Sequence, residues 1–343
     1  MIYLYLLLFF FIIYVFAYKI STFYKLYDYP NNRKIHLIPT PTIGGLVIFI
    51  SILFSVLFTE LNNTFYIIIY SSLILLLIGF LDDIRPQKIL IRMIFQIIAS
   101  LIVVGSGLYI VDIGEYIYLP NTNLGYFGIL LTLFSVICFI NAMNFLDGLD
   151  GLCSGIILIS IATLILYAFF EGNIIIDEFL FYFFFIIFIF FIININIFPI
   201  NKIFLGDGGS TAISYVFAWL LIYYSHPSNR LVHPILAAWC VSIPMFDFLS
   251  IILRRILLKK SPFAPDQKHI HHILLNIKFG HKKTLLIILF LCIIFNSLGY
   301  LTYSFFGSTF SFFTFIIVFL IYYYFISYFS SKNDKFLQQG KND

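Results

Sequence analysis

The sequence predicts an all-α integral membrane protein: a polytopic bundle of about 10–11 transmembrane helices, with an external N-terminus and a long cytoplasmic loop before the last two helices. Three observations carry this. The chain of 343 residues is 62% hydrophobic and only 10% charged, so it has too little polar side chain to cover a water-facing surface. Its apolar runs are near-continuous rather than alternating, and many approach the roughly 20 residues a spanning helix needs. Lipid offers the backbone no partners, so a span must be a helix or part of a closed barrel, and unbroken runs exclude the barrel. Finally, of the 20 Lys and Arg residues, only Arg230 falls outside one alternating set of connections.

Taken in order, the expected spans lie at 2–18, 43–59, 65–81, 90–107, 126–143, 152–170, 178–195, 210–225, 233–252, 284–303 and 310–329. The first lacks a basic start and a small-residue cleavage site, so it reads as a retained span, not a signal peptide. The connections 19–42, 82–92, 144–151, 196–210 and 253–283 and the tail 330–343 hold the cations, and the positive-inside rule makes them cytoplasmic. The net charge of +4 therefore sits beside anionic lipid heads and anionic substrates, and implies no nucleic-acid partner. Cys138, Cys153, Cys240 and Cys292 fall in or beside spans without metal-ligand spacing, as packing residues do.

The acids sort by side as well. Glu60, Asp112, Glu115, Glu171, Asp177 and Glu178 are external, without polar clusters around them. Asp28, Asp82, Asp83, Asp147, Asp150, Asp207, Asp247, Asp266, Asp334 and Asp343 are cytoplasmic, several of them beside glycine at span ends. Almost no charge lies at mid-membrane, which argues against an ion-coupled transporter and for a site at the cytoplasmic mouth.

Five cytoplasmic clusters carry chemistry. The loop from Asp28 to Gly45 contains Arg33, Lys34 and His36 between prolines and glycines. Those cations and the Gly44–Gly45 N–H groups suit a phosphate, although a positive-inside anchor with a rigid turn has the same composition. Asp82-Asp83 is a pair of like charges at a helix end, relieved by a divalent metal or a proton, or simply solvated beside Arg85. Asn141–Leu152 repeats amides and carboxylates every third residue: Asn144 can donate and accept, Asp147 and Asp150 accept, and Gly148 and Gly151 loosen the helix so that they converge. Capping explains one such residue but not four. Gly206-Asp207-Gly208-Gly209 offers an N-cap or a metal ligand beside glycines that let a ligand approach the backbone. His269, His271 and His272 follow Arg254-Arg255 in the longest polar stretch. No nearby Cys or Glu completes a zinc site, and imidazoles suit hydrogen bonding to pyrophosphate or proton transfer. Acids for a metal, cations for phosphate and amides for a polar ligand at one membrane face imply metal-assisted phosphoryl transfer from a soluble donor to a lipid acceptor.

These clusters, in this order over residues 28–272, resemble the polyprenyl-phosphate N-acetylhexosamine-1-phosphate transferases (glycosyltransferase family 4). The resemblance implies a UDP-sugar and polyprenyl (undecaprenyl) phosphate as substrates, UMP and a polyprenyl-diphosphate sugar as products, and Mg²⁺ as cofactor, with Mn²⁺ as an alternative. It further implies a multi-pass protein of the bacterial cytoplasmic membrane, among membrane lipids, with a homodimer left open and the active site facing the cytoplasm. By the same resemblance Asp82, Asp83 and Arg255 are catalytic, Asp207 and Asp82 hold the metal, and Asn144, Asp147, Asp150, His269, His271 and His272 bind substrate. Arg33, Lys34, His36 and Asn196 stand as phosphate contacts. The family's Asn ten residues before the Gly-Asp aspartate falls on Ile197 here, next to Asn196. His-Ile-His-His and the first loop resemble the N-acetylglucosaminyl branch, of cell-wall, lipopolysaccharide, O-antigen or teichoic-acid synthesis. The muramoyl-pentapeptide branch is the alternative, and a transporter is the alternative from another class.

Overall fold

The computed structural model describes residues 1–30, 38–117, 122–173, 176–259, 261 and 268–339, with side chains up to Ser330. The expected apolar runs are all helical, as backbone satisfaction within the segment requires. In order the helices are α1 (Ile2–Tyr24), α2 (Gly44–Ser55, continued by a 3₁₀ turn Val56–Phe58), α3 (Asn63–Ile84), α4 (Ile89–Gly105), α5 (Tyr126–Leu146), α6 (Leu152–Phe170), α7 (Glu178–Asn194), α8 (Gly206–Ser225), α9 (Pro234–Cys240), α10 (Ser242–Leu257), α11 (Ile270–Asn276) and α12 (His281–Gln339). Two short antiparallel strands, β1 (Tyr27–Asp28) and β2 (Thr40–Pro41), close the loop between α1 and α2. Among the described residues, five helices are long and apolar enough to cross a membrane, or six with α9 and α10 taken as one bent span.

Three expected boundaries are corrected. The run 233–252 is two helices, α9 and α10, bent by 77°. Pro244 falls in the first turn of α10, where its missing N–H costs no helical bond. The runs 284–303 and 310–329 lie within α12, which breaks at Gly307 (φ 84°, ψ 174°). Ser311 Oγ donates to the Gly299 carbonyl at 3.2 Å, and a straight helix would hold residues twelve apart about 18 Å from each other, so the chain reverses there. The long loop before α12 is not all loop, because α11 lies within it.

Helix α8 is the centre of the bundle, buried from Gly208 to Tyr224. Its N-terminal half is small (Gly-Gly-Ser-Thr-Ala), and small residues let membrane helices approach to backbone contact. A Cβ on Gly79 of α3 would lie 2.4 Å from the Cα of Gly208, and one on Gly45 of α2 would lie 2.3 Å from the Cα of Gly209. Three helices thus meet at a glycine node at the end of the bundle that carries the motifs. Deeper in, Tyr215 of α8 spends its hydroxyl on the Ala99 carbonyl (2.7 Å) and Ser71 (2.8 Å), as a buried phenol must.

The opposite end gathers the other set of acids. Arg230 takes both oxygens of Asp112 at 2.6 and 2.7 Å, and Tyr224 donates to Asp177 at 2.7 Å. Tyr182 donates to Glu178 and packs on Tyr3, so the start of α1 lies at this end as well.

Candidate active site

The α3–α4 turn builds the first wall. Asp82 is buried and accepts from the Gln87 N–H at 2.5 Å and from Arg92 Nη1 at 2.6 Å, which staples the start of α4 to the end of α3. The Arg92 guanidinium then spans to two other helices. Nη1 lies 3.4 Å from Asp207 Oδ2 on α8, and Nη2 donates to Asn144 Oδ1 on α5 at 3.0 Å. Asn144 completes the ring, its Nδ2 donating to Asp207 Oδ1 at 2.9 Å and Ser210 Oγ at 3.0 Å. One turn earlier, Asn141 bonds Gln96 of α4 at 2.8 Å.

Asp83 serves a different purpose. Its Oδ1 accepts the Asp207 N–H at 3.0 Å, placing a carboxylate at the N-terminus of α8, where free N–H groups and the helix dipole favour an anion. Gly206 enters that turn at φ 75°, and a Cβ there would meet Asp83 Oδ2 at 2.6 Å, so only glycine fits. α8 begins four residues before the expected start because this cap comes from another helix.

Between α5 and α6 the chain turns at residues 147–151, as the glycines predict. Gly151 (φ 74°) donates its N–H to Asn194 Oδ1 at 2.6 Å, and Asn194 Nδ2 donates to the Ile203 carbonyl at 2.8 Å. Asp150 is ion-paired with Lys202, whose Nζ lies 4.6 Å over the Phe204 ring. Asp147 is half-buried, and among the described residues no donor reaches its carboxyl. Burial first, then the nearby Asp207, Asp83 and Asp150, push that carboxyl well above the usual carboxylate range.

The histidine segment packs on this turn. The ring of His269 lies 5.2 Å from that of Phe145, and a Cβ on Gly148 would lie 3.1 Å from His271 Nε2. His271 is sealed from solvent with neither ring nitrogen partnered, and its ring lies 4.0 Å from that of His272. Its imidazole is held neutral by burial first and by His272 and His269 next. His269 stands at the N-cap position of α11 and bonds Asp247 of α10 through Nδ1 at 2.6 Å.

The structure therefore joins Asp82, Asp83, Asn144 and Asp207 in one hydrogen-bonded cluster, with the Asp147 carboxyl within reach of its charges and His269 and His271 packed on Phe145 and Gly148 at the end of α5. Among the described residues, no hydrogen bond joins Asn196 or Arg255 to that cluster. Asn196 is exposed at the C-terminus of α7 (φ 57°), and Arg255 is buried with its Nη1 on the Ser261 carbonyl at 2.9 Å. Arg33, Lys34 and His36 lie outside the described residues. Two glycine readings are corrected. The Gly44 and Gly45 N–H groups donate to the Phe204 and Leu205 carbonyls at 2.8 and 2.9 Å, so they are not open to a phosphate. Gly208 and Gly209 admit neighbouring helices, not a ligand. Asn144 and Asp150, expected to meet substrate, spend hydrogen bonds on Asp207, Ser210, Arg92 and Lys202.

Four residues escaped the sequence reading: Arg92, Lys202, Asn194 and Asp247. Arg92 had a signal, a cation one turn inside an otherwise apolar helix. Lys202 and Asp247 looked like members of the general charge sorting, and Asn194 like the end of an apolar run.

Among the described residues no three acidic, histidine or cysteine side chains form a ready metal cage. An unpartnered Asp147 carboxyl, near enough to feel the charges of Asp207 and Asp83, does fit a hard cation that takes one or two carboxylates and fills its shell with phosphate oxygens.

Comparison with known proteins gives concordant matches. Residues 65–225 match the glycosyl transferase family 4 model. An undecaprenyl-phosphate alpha-N-acetylglucosaminyl 1-phosphate transferase of Escherichia coli O157:H7 is 32% identical over 319 residues, covering 90% of this chain and 86% of the relative. The proteins of the same name from Salmonella typhi (32% identical, 79% of this chain and 75% of the relative) and Haemophilus influenzae (29%, 88% and 87%) are similar over comparable spans.

Proposed function

This chain belongs to glycosyl transferase family 4, and from that premise we propose that it transfers N-acetylglucosamine-1-phosphate from a UDP-sugar to undecaprenyl phosphate, giving the undecaprenyl-diphosphate sugar and UMP. The observation that carries the reading is the convergence on Asp207 of Asn144 from α5, Arg92 from α4 and Asp83 from α3, at one end of an apolar bundle. A lipid acceptor and a soluble donor can meet only where bundle and water adjoin, and both are polyanions, so offsetting their charge is the main task. We place this end at the cytoplasmic face of a bacterial cytoplasmic membrane, the side to which positive-inside sorting assigns every Lys and Arg but Arg230.

Mg²⁺ held at Asp207, with Asp83 and Asp147 beside it, would polarise the pyrophosphate and stabilise the leaving UMP. The residues divide the remaining work. Asp82 anchors Arg92, and Arg92 brings a fixed positive charge beside the acids that would hold the metal. Asn144 orients Asp207. The turn 147–151 and the histidine segment wall the nucleotide-sugar side. An apolar cavity of about 410 Å³ runs from Asp112, Ser225 and His226 at the opposite end of the bundle to Phe139, Met245 and Phe246; its apolar wall suits a prenyl chain, and none of the site's carboxylates lines it. The product would feed cell-envelope polysaccharide synthesis as its first membrane step. The muramoyl-pentapeptide alternative is not favoured, because the relatives matched carry the N-acetylglucosaminyl name.

The test is UMP release from membranes supplied with undecaprenyl phosphate, Mg²⁺ and a panel of UDP-sugars. UDP-N-acetylglucosamine should support release. Release with UDP-muramoyl-pentapeptide alone, or with no sugar nucleotide in the panel, would overturn the reading.

A further inference from the structure

We propose that Asp247 is a positioning residue for His269: it holds the imidazole with Nδ1–H on its carboxylate and leaves the Nε2 lone pair free to take the proton of the acceptor phosphate's P–OH as that phosphate attacks, the ring becoming an imidazolium paired with Asp247. This rests on the reaction proposed above and adds to it a residue with no motif of its own.

The geometry divides the carboxylate in two. Oδ1 of Asp247 accepts the Ile270 N–H at 2.9 Å and the Tyr322 hydroxyl at 3.1 Å, which caps α11 and ties it to the second arm of α12. Oδ2 is left for His269 Nδ1, at 2.6 Å. Asp247 is 1% exposed, so its partners are those three groups rather than water. A carboxylate accepting on both oxygens requires the proton on Nδ1. Nδ1 and Nε2 lie on opposite sides of the ring, so Nε2 faces away from Asp247, and among the described residues nothing bonds it. The ring itself is steadied by Phe145 at 5.2 Å, the neighbour of Asn144, and by His271 stacked at 5.9 Å. A fixed tautomer on a ring packed against Phe145, one residue from Asn144, is the arrangement by which a buried acid orients a working histidine.

A purely structural Asp247 would need only Oδ1, and that separates the two roles experimentally. Asp247→Asn keeps Oδ1 for Ile270 and Tyr322 but turns an amide N–H₂ toward His269. Nδ1 must then accept, and the neutral ring must carry its proton on Nε2. UMP release should show kcat lowered on the order of 10²–10⁴-fold with KM for the UDP-sugar changed less than threefold. Because Asp247 acts through His269, the Asp247→Asn/His269→Gln double variant should lose no more than His269→Gln alone. A double variant losing the product of the single effects, or an Asp247→Asn protein within threefold of wild type, overturns the proposal. The tautomer is also read directly, without turnover, from imidazole ¹⁵N shifts of the full-length wild-type protein in detergent, with His269→Gln assigning the signal. A neutral His269 protonated on Nδ1 is the expected result, and one protonated on Nε2 overturns the proposal even where Asp247→Asn fails to fold. Absence of UMP release from wild type would instead count against the reaction, and the shifts would still decide the role of Asp247.

Discussion

Arg92 Nη1 lies 2.6 Å from Asp82 Oδ2, with the two side chains 21% and 7% exposed. Removing one partner of a pair so withdrawn from water leaves an uncompensated charge, at a cost of about 3–5 kcal/mol. Arg92→Gln should therefore lower the thermal unfolding midpoint in detergent and reduce UMP release by at least about a hundredfold, since Asp207 and Asn144 lose their shared donor too. Arg92→Lys should recover stability better than activity. A single ammonium can replace Nη1 at Asp82 but cannot also reach Asn144 from a second nitrogen. Arg92→Gln with wild-type UMP release would remove Arg92 from the site.

Asp207→Asn tests the metal assignment. The amide keeps the size of the side chain and a carbonyl for Asn144 Nδ2, so the protein should still accumulate in the membrane. UMP release should fall on the order of 10²–10³-fold. Titrating Mg²⁺ into the wild-type protein should raise its unfolding midpoint by mass action, and the same titration should leave Asp207→Asn unmoved. Equal responses in the two proteins would show that the cation sits elsewhere.

The polar cluster was legible in the sequence where it violated the solvent. Asp82, Asp83, Asn144, Asp147 and Asp207 stand out because polar side chains near lipid are costly unless something meets them. Their shared end was legible from charge sorting alone, and Asp112–Arg230 at the opposite end agrees with it. What meets them was not legible. Arg92 reaches Asp207 across 115 positions and Asp247 reaches His269 across 22, and no local pattern encodes such pairings. The start of α8 was misplaced for the same reason, since its N-terminal partner is Asp83, on α3. Glycine misled in one respect. Gly44, Gly45, Gly208 and Gly209 look alike whether a backbone must face a phosphate or another backbone, and only the packing tells them apart.

The glycine node gives a packing prediction. An alanine methyl at Gly79 would lie 2.4 Å from both the Cα and the nitrogen of Gly208, and backbone cannot swing aside as a side chain can. α3 and α8 must separate, at a cost of about 1–3 kcal/mol for overpacking, and Asp83 then withdraws from the Asp207 N–H. Gly79→Ala should lower both the unfolding midpoint and UMP release. Gly280→Ala, where a Cβ meets nothing within 4 Å, is the matched control and should change neither. Equal behaviour of the two variants would mean that the close approach of α3 and α8 does not support the site.

His271 predicts the acid limb of stability. It is fully buried with both ring nitrogens unpartnered, and its pKa is held well below the ordinary 6.5, by burial first and then by His272 and His269. Unfolding returns the ring to its ordinary value. Below about pH 6.5 the unfolded chain therefore binds a proton that the folded chain refuses. The stability tied to a neutral His271 is complete above that pH and falls as the pH drops through it, by at most about 1.4 kcal/mol per unit for one proton. Unfolding midpoints in detergent at pH 7.5 and 5.5 should thus differ in wild type and differ less in His271→Leu, which fills the same apolar slot without titrating. Stability rather than turnover is the readout, so a loss of catalysis in the variant does not confuse the result. If the two proteins lose the same number of degrees on acidification, the proton is being taken up elsewhere in the chain.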